Sequence, residues 1–167
     1  KQSWSFLTTS GGELLRFIRE DKVNVIRLPV HSKNPILIFL NSIIITLIVY
    51  FYDIDIIHAR SRAPAWSCLF SCFITRRKFV TTFHGTYNFS SPIKLFYNSV
   101  MVRSKLIIAG SNFIFEHIVS NYQKYLKKKQ KLMVIFRGIN LEYYNPRNVS
   151  DNHINKLIKD WNIDTSK

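Results

Sequence analysis

Short apolar runs alternate along the chain with segments whose apolar residues recur at helical spacing. The runs are rich in β-branched and aromatic residues, which favours strands. The predicted strands are Phe6–Thr9, Val23–Leu28, Asp55–His58, Phe79–Phe83, Leu106–Ala109 and Lys131–Phe136. The predicted helices are Glu13–Asp21, Ile36–Tyr52, Pro64–Ile74, Pro92–Val102, Asn112–Asn121 and His153–Trp161, with Ser111 as the N-cap of the fifth. Strands that alternate with helices predict an α/β fold with an open parallel sheet covered by helices on both faces.

One predicted helix is unusually apolar. Ile36–Tyr52 has 17 residues without a charge, which is at the short limit for a membrane span. Asn41, Ser42 and Thr46 project towards one side of this helix and form a weak polar stripe. We therefore expect a buried helix or one that lies on a membrane surface, rather than a span.

The charge balance favours anionic partners. The chain has 24 Lys and Arg residues against 10 Asp and Glu, a formal net charge of +14. Nucleic acid, phosphorylated substrates and an acidic membrane face all remain open on charge alone. No nucleic-acid-binding signature is present, so we expect no nucleic-acid partner. The lysine-rich segment Gln123–Lys131 is typical of a solvated connection, and contact with acidic lipid is the alternative.

The sequence offers little for metal or nucleophilic catalysis. Cys68 and Cys72 are four residues apart in a predicted helix, without a His or Cys partner nearby, which favours packed, reduced thiols over a metal site. The five histidines are far apart, and no nucleophile elbow, phosphate-binding loop or zinc-protease motif occurs. We therefore expect no metal.

Polar and flexible residues follow four of the predicted strands. Because ligands bind beyond the carboxyl ends of parallel strands, these residues are candidate site residues. They are Arg60, Ser61 and Arg62, then His84, Gly85, Thr86 and Tyr87, then Gly110 and Ser111, then Arg137 and Gly138. Cations, glycines and hydroxyl groups at helix starts suit phosphate or sugar hydroxyls. A structural role for His84 and a solvated loop around Arg60 and Arg62 are the alternatives.

Four blocks of sequence resemble one protein family. They are "IIHARSRAPAWS" (Ile56–Ser67), "FVTTFHGTYN" (Phe79–Asn88), "YNSVMVRSKLIIAGSNFI" (Tyr97–Ile114) and "VIFRGINLEYYNP" (Val134–Pro146). In order and spacing they are similar to the N-terminal domain of family 4 glycosyltransferases of the GT-B fold, especially bacterial enzymes of lipopolysaccharide and envelope glycan synthesis. The likeness covers nearly all of residues 5–150.

The resemblance implies roles for the candidate residues. It implies one Rossmann-like half of a GT-B fold, the half that holds the acceptor. His84 matches the family's catalytic histidine at the transferred sugar, and Arg60 and Arg62 match its acceptor-side loop. The implied substrate-binding residues are Arg60, Ser61, Arg62, Gly85, Thr86, Tyr87, Ser111, Arg137 and Gly138. The implied reaction retains anomeric configuration, uses a nucleotide-sugar as co-substrate and needs no cofactor.

The chain also departs from the family's pattern. The family's opening strand and glycine-rich loop have no counterpart here, Phe136 stands where Pro is usual, and Asn140 where Asp is usual. No E-x7-E motif of a donor domain is present. We expect residues 1–146 to be the acceptor-side domain, truncated at its start, and 147–167 a linker and helix leading to an absent donor domain.

Because of these departures, we do not expect the chain to act alone. We expect that the chain alone does not transfer sugar and that a second chain could supply the donor domain. The expected acceptor is a glycolipid or lipopolysaccharide core, and the expected location is cytoplasmic, peripheral to the inner face of the plasma membrane. The alternative is a non-catalytic module that binds anionic glycolipid or a membrane surface.

Overall fold

The computed structural model describes residues 5–18, 23–87 and 90–164. The chain divides into two compact units, Lys1–Phe136 and Arg137–Lys167. In the first unit the strands are β1 (Phe6–Thr9), β2 (Asn24–Arg27), β3 (Ile56–Ala59), β4 (Lys78–Phe83), β5 (Leu106–Ala109) and β6 (Lys131–Val134). Its α-helices are α1 (Pro35–Phe51), α2 (Arg62–Thr75), α3 (Pro92–Asn98) and α4 (Asn112–Tyr122). The second unit contains α5 (Asp151–Asp160), capped by Ser150.

The strands form parallel sheets flanked by helices, which confirms the predicted fold class. β1 pairs with β2, and the other four strands pair in the order β3-β4-β5-β6, with every pair parallel. A pocket of about 130 Å³ lies between the two sheets, and Leu7, Ile45 and Ile57 are among its lining residues.

Two predicted helices differ in the structure. A five-residue 3₁₀ helix, Glu13–Phe17, replaces the start of the predicted helix 13–21, and residues 19–22 lie outside the described residues. The predicted helix Pro92–Val102 tightens into a 3₁₀ helix at Ser99–Val102. There Ser99 Oγ donates to the carbonyl of Phe96 at 2.7 Å, a local bond that competes with regular helix geometry.

The core lies under the four-stranded sheet and holds the strand ends in place. Its fully buried side chains include Phe83, Met101, Ile107 and Ile118. Thr81 on β4 is also buried, and its hydroxyl lies 2.6 Å from both the Met101 carbonyl oxygen and Ser104 Oγ. Buried polar groups are tolerated when they are hydrogen-bonded in this way.

The two cysteines lie on α2, where both thiols are free and buried. Burial raises the pKa of Cys68 and of Cys72 to about 12. Both are therefore protonated and unreactive at neutral pH, in agreement with the interpretation as packed thiols.

The polar stripe of α1 lies inside the protein. Asn41 and Ser42 are 2% and 3% exposed, and Asn41 Nδ2 donates to the Pro29 carbonyl at 3.2 Å. Ser67 on α2 donates its hydroxyl proton to the Ile38 carbonyl of α1 at 2.9 Å. Small polar residues thus share the interior-facing side of the helix pair with apolar ones such as Ile38, Ile45 and Val49.

The outward side of the same pair is apolar. Its exposed side chains, which we call the apolar face, are Ile36, Phe39, Leu40, Ile43, Leu47, Tyr50 and Phe51 on α1 and Phe70, Phe73 and Ile74 on α2. Large apolar side chains that face outward in this number are unusual for helices facing water. No helix in the described part of the chain has both the length and the apolarity to cross a bilayer.

Candidate functional site

The carboxyl ends of β3, β4 and β5 bring the main candidate residues to one edge of the sheet. The register pairs Ala59 with Thr81 and Phe83 with Ala109, so these strands end at neighbouring positions. The chain then continues into Arg60, His84 and Gly110, respectively. The parallel sheet therefore gathers residues that are 24 and 26 positions apart in sequence.

Arg60 and His84 are in direct contact at this edge. Arg60 Nε lies 3.0 Å from His84 Nε2, in an exposed hydrogen bond. Because arginine can only donate, the ring nitrogen of His84 accepts, and the imidazole in this arrangement is neutral. His84 is half-buried and Arg60 exposed, so a ligand in solution can reach the pair.

Arg62 is held beside this pair by two contacts. Its Nη1 donates to Asn98 Oδ1 at 2.9 Å, and its Cζ lies 4.4 Å from the centre of the Tyr87 ring. Burial raises the pKa of Tyr87, and the Arg62 charge opposes this rise. Tyr87 is therefore a neutral hydroxyl donor at physiological pH. Arg60, Arg62, His84 and Tyr87 together form what we call the strand-end cluster.

The other predicted site residues on this edge have simpler surroundings. Ser111 caps α4, accepting a hydrogen bond from the Ile114 N–H at 3.2 Å, as the sequence predicts. Ser61 precedes α2 at the N-cap position but makes no side-chain cap bond, and Thr86 is exposed. A Cβ added at Gly85 would meet no atom of the described residues within 4 Å. The chain itself therefore does not require glycine there, and the space is open to a ligand.

Arg137 and Gly138 belong to the second compact unit, Arg137–Lys167. Both are exposed. Their assignment to substrate binding stays a prediction.

Two residues near the strand ends were missed from sequence. Asn98 is 1% exposed and accepts the hydrogen bond from Arg62 across 36 positions of sequence; an isolated Asn at a helix end gives no signal of this. His58 Nε2 lies 2.7 Å from Thr82 Oγ1, and burial together with the Arg60 charge lowers the pKa of His58. His58 was assigned only to a strand, because its side chain carries no recognisable motif.

The described residues contain no group of three or more His, Cys, Asp or Glu side chains that could hold a metal ion. What the strand-end cluster offers instead is a neutral imidazole, two guanidinium groups and a phenol. Such groups hydrogen-bond hydroxyl groups and stabilise negative charge.

The chain has the fold of a Rossmann-like α/β domain of the GT-B type. Its parallel strands are joined by helices, and a polar cluster lies at the carboxyl ends of the strands. The sequence profile of Glycosyltransferase Family 4 matches residues 5–143. The chain belongs to this family.

Solved structures agree with this assignment. A glycosyltransferase from Rickettsia africae has 35% sequence identity and a TM-score of 0.72, over 98% of this chain and 42% of that one. Anabaena HepE in complex with UDP-glucose has 17% identity and a TM-score of 0.65, over 94% and 42%. Sucrose-phosphate synthase from Thermosynechococcus elongatus has 13% identity and a TM-score of 0.55, over 86% and 38%.

The chain thus spans about two fifths of the length of these proteins. Anabaena HepE and the sucrose-phosphate synthase, at 17% and 13% identity, are similar to this chain in fold alone. No curated protein is similar enough in sequence to count as a match.

Proposed function

We propose that the chain is the acceptor-side part of a glycosyltransferase that moves a sugar from a nucleotide-sugar to an envelope glycan or glycolipid with retention of configuration. The observation that carries the proposal is the exposed Arg60–His84 pair at the carboxyl edge of a parallel sheet, in a chain of this family. Donor binding would come from a second part of the enzyme, on the same or another chain. The nucleotide-sugar is then a co-substrate, and no cofactor or metal is needed.

The cluster suits a transfer in which charge develops near the anomeric carbon. The His84 imidazole would hydrogen-bond a hydroxyl of the transferred sugar, with Arg60 fixing the ring. Arg60 and Arg62 would hold the acceptor, and Thr86 and Tyr87 would line the same wall. Hydrogen-bond donors aimed at developing charge lower the barrier most when a closed cleft excludes water.

The test is sugar transfer by a reconstituted enzyme. The chain would be mixed with, or fused to, the part of the Rickettsia africae glycosyltransferase that it does not cover. We expect transfer from at least one of a panel of nucleotide-sugars to a bacterial glycolipid extract, and no transfer by the chain alone. A folded, assembled pair that transfers no sugar from any donor would contradict the proposal.

A separate observation supports the alternative function, which is binding to an anionic membrane surface at the cytoplasmic side. The helix pair α1 and α2 presents large apolar side chains outward, with Phe73 and Tyr50 86% and 77% exposed. Arg76 and Lys78 follow α2 closely, and Arg77 between them is ion-paired with Asp53 and Asp55. Apolar side chains flanked by cations are typical of surfaces that rest on acidic lipid.

Vesicle co-sedimentation tests this binding. We expect the chain to bind vesicles of mixed phosphatidylglycerol and phosphatidylcholine, and Phe73→Glu to release it. The matched control is Phe113→Glu on α4, because Phe113 is 72% exposed but lies outside the apolar face. Equal binding by both variants, or binding that ignores anionic lipid content, would remove the basis of this function.

A further inference from the structure

A pocket beside the strand-end cluster is lined by cations. Its volume is about 380 Å³, and its lining residues are Lys33, Arg62, Ile93, Lys94, Tyr97 and Asn98. We call it the cationic pocket. It contains three positively charged side chains and no carboxylate, and the sequence has no Asp or Glu between Asp55 and Glu116. None of the described residues that line this pocket neutralises the charge, which makes the pocket suited to an anion.

Arg62 keeps most of its donors available for an oxygen-rich ligand. Its hydrogen bond to Asn98 uses one of the five guanidinium N–H groups. The hydroxyl of Tyr97 is buried and makes no hydrogen bond with any described residue. A buried polar atom without a partner is destabilising.

An apolar groove adjoins the pocket. It has a volume of about 410 Å³ and shares Lys33 and Tyr97 with the cationic pocket. Its other lining residues are Pro35, Ile38, Phe39, Trp66, Phe70 and Phe96. We call it the apolar groove.

The wall of the groove is an aromatic cluster. The centre of the Trp66 ring lies 6.0 Å from that of Phe70 and 5.6 Å from that of Phe96. Trp66 Nε1 already donates to the Tyr97 carbonyl at 3.1 Å, so the groove offers a ligand the apolar ring. A hydrocarbon chain suits such a wall.

Two features of the apolar groove indicate which kind of ligand it binds. They are the positive charge of the adjoining cationic pocket and the overlap of the groove with the apolar face. Phe39 and Phe70 belong both to the groove and to the apolar face. A ligand that fills both cavities must have an anionic group next to a hydrocarbon chain. Three cations suit the charge of a phosphate better than that of a single carboxylate.

We propose that the cationic pocket and the apolar groove together bind a phosphate-bearing lipid acceptor, with the phosphate between Lys33, Arg62 and Lys94 and the hydrocarbon chain along Trp66 and Phe96. This rests on the proposed function and names the acceptor class for it. Arg62 belongs to both the pocket and the strand-end cluster. The Cα atoms of Arg60 and Arg62 are at most about 7 Å apart, so the cationic pocket adjoins the strand-end cluster through Arg62.

The probe for this site is dodecyl phosphate, with inorganic phosphate and dodecyl maltoside as the head-only and chain-only comparisons. Trp66 reports on binding through its fluorescence once Trp4 and Trp161 are replaced by Phe. We expect dodecyl phosphate, below its micelle concentration, to bind at least tenfold more tightly than either comparison compound. Equal binding of inorganic phosphate would exclude the groove, and equal binding of dodecyl maltoside would exclude the pocket; either result overturns the proposal.

Variants separate specific binding from general charge attraction. We expect Lys94→Gln to weaken dodecyl phosphate binding about tenfold, and the matched control Lys105→Gln, an exposed lysine outside the pocket, to leave it unchanged. Tyr97→Phe should raise the melting temperature of the free protein, because it removes the unpartnered buried hydroxyl. Circular dichroism shows whether each variant folds. Loss of affinity in Lys105→Gln equal to that in Lys94→Gln would contradict the proposal.

The binding experiment needs no donor part and no transfer, so its failure differs from failure of the proposed function. If dodecyl phosphate binds as expected and the reconstituted enzyme transfers no sugar, the lipid site stands and the function fails. If the enzyme transfers sugar and dodecyl phosphate neither binds nor inhibits, the function stands and the lipid site is wrong.

Discussion

At the scale of single residues, the main feature is the contact between Arg60 and His84. The sequence predicts that both follow strand ends at the same sheet edge, because parallel strands align their carboxyl ends. It does not predict the 3.0 Å contact itself, which depends on side-chain rotamers. The contact of Arg62 with Asn98 could not be predicted either, because it depends on how α3 packs against the start of α2.

Gly85 tests whether a ligand lies against the strand-end cluster. Because an added Cβ would touch no atom in the part of the chain that the structure describes, Gly85→Ala should change the free energy of unfolding by less than about 0.5 kcal/mol. In the reconstituted enzyme it should lower kcat/KM at least about tenfold, since the methyl group occupies ligand space. Denaturant unfolding and transfer rates check the two effects. Unchanged transfer would mean that no substrate approaches Gly85.

His58 should make stability depend on pH. Its pKa is lowered in the folded protein, chiefly by burial and also by Arg60, while the unfolded value is about 6.5. The unfolded chain therefore binds more protons as pH falls, and the stability present above pH 6.5 is lost towards the lowered folded pKa. Urea unfolding from pH 7.5 to 5 should show this decline.

The comparison variant is His58→Gln. Replacing His58 should reduce the slope of stability against pH. His117, whose pKa is also lowered by burial, keeps part of the slope in this variant. Identical slopes in His58→Gln and the wild type would show that His58 does not contribute.

At the scale of elements, hydrophobic periodicity predicted all six strands, with ends shifted by up to two residues. It did not predict that the 3₁₀ helix Ser99–Val102 would interrupt a helix, because Ser99 forms a local hydrogen bond. It also did not predict which side of α1 is buried. The stripe of Asn41, Ser42 and Thr46 marks a side of the helix, but burial depends on the fit against α2 and the Pro29 carbonyl.

The buried network under β4 should be important for stability. Thr81→Val removes a hydroxyl that contacts the Met101 carbonyl and Ser104 Oγ, and leaves both without this partner. We expect a loss of about 1–3 kcal/mol in the free energy of unfolding. The matched control is Thr86→Val, because Thr86 is exposed, and its change should stay within about 0.5 kcal/mol. Equal losses in the two variants would contradict the role of the network.

At the scale of the whole molecule, two properties matter: a net charge of +14 and coverage of about two fifths of the related structures. The charge was visible in the sequence, but its arrangement was not. Lys33 and Lys94 are 61 positions apart and line one pocket only because the segment before α1 lies near α3. A pocket assembled from separate elements in this way leaves no local motif.

Membrane binding should therefore have an electrostatic and an apolar part. Raising the salt concentration from about 0.05 to 0.5 M shortens the screening length to a few ångströms and should weaken vesicle binding without abolishing it, because the apolar face remains. Co-sedimentation at several salt concentrations measures this. Complete release at high salt would show that the apolar face does not contact lipid.

The most direct test of the account is the effect of His84→Ala on sugar transfer by the reconstituted enzyme. If His84 contacts the transferred sugar, kcat/KM should fall about 10²–10³-fold, whereas the matched control His31→Ala should transfer at the wild-type rate. Unchanged transfer in a folded His84→Ala enzyme would contradict the assignment of the strand-end cluster as the site of transfer.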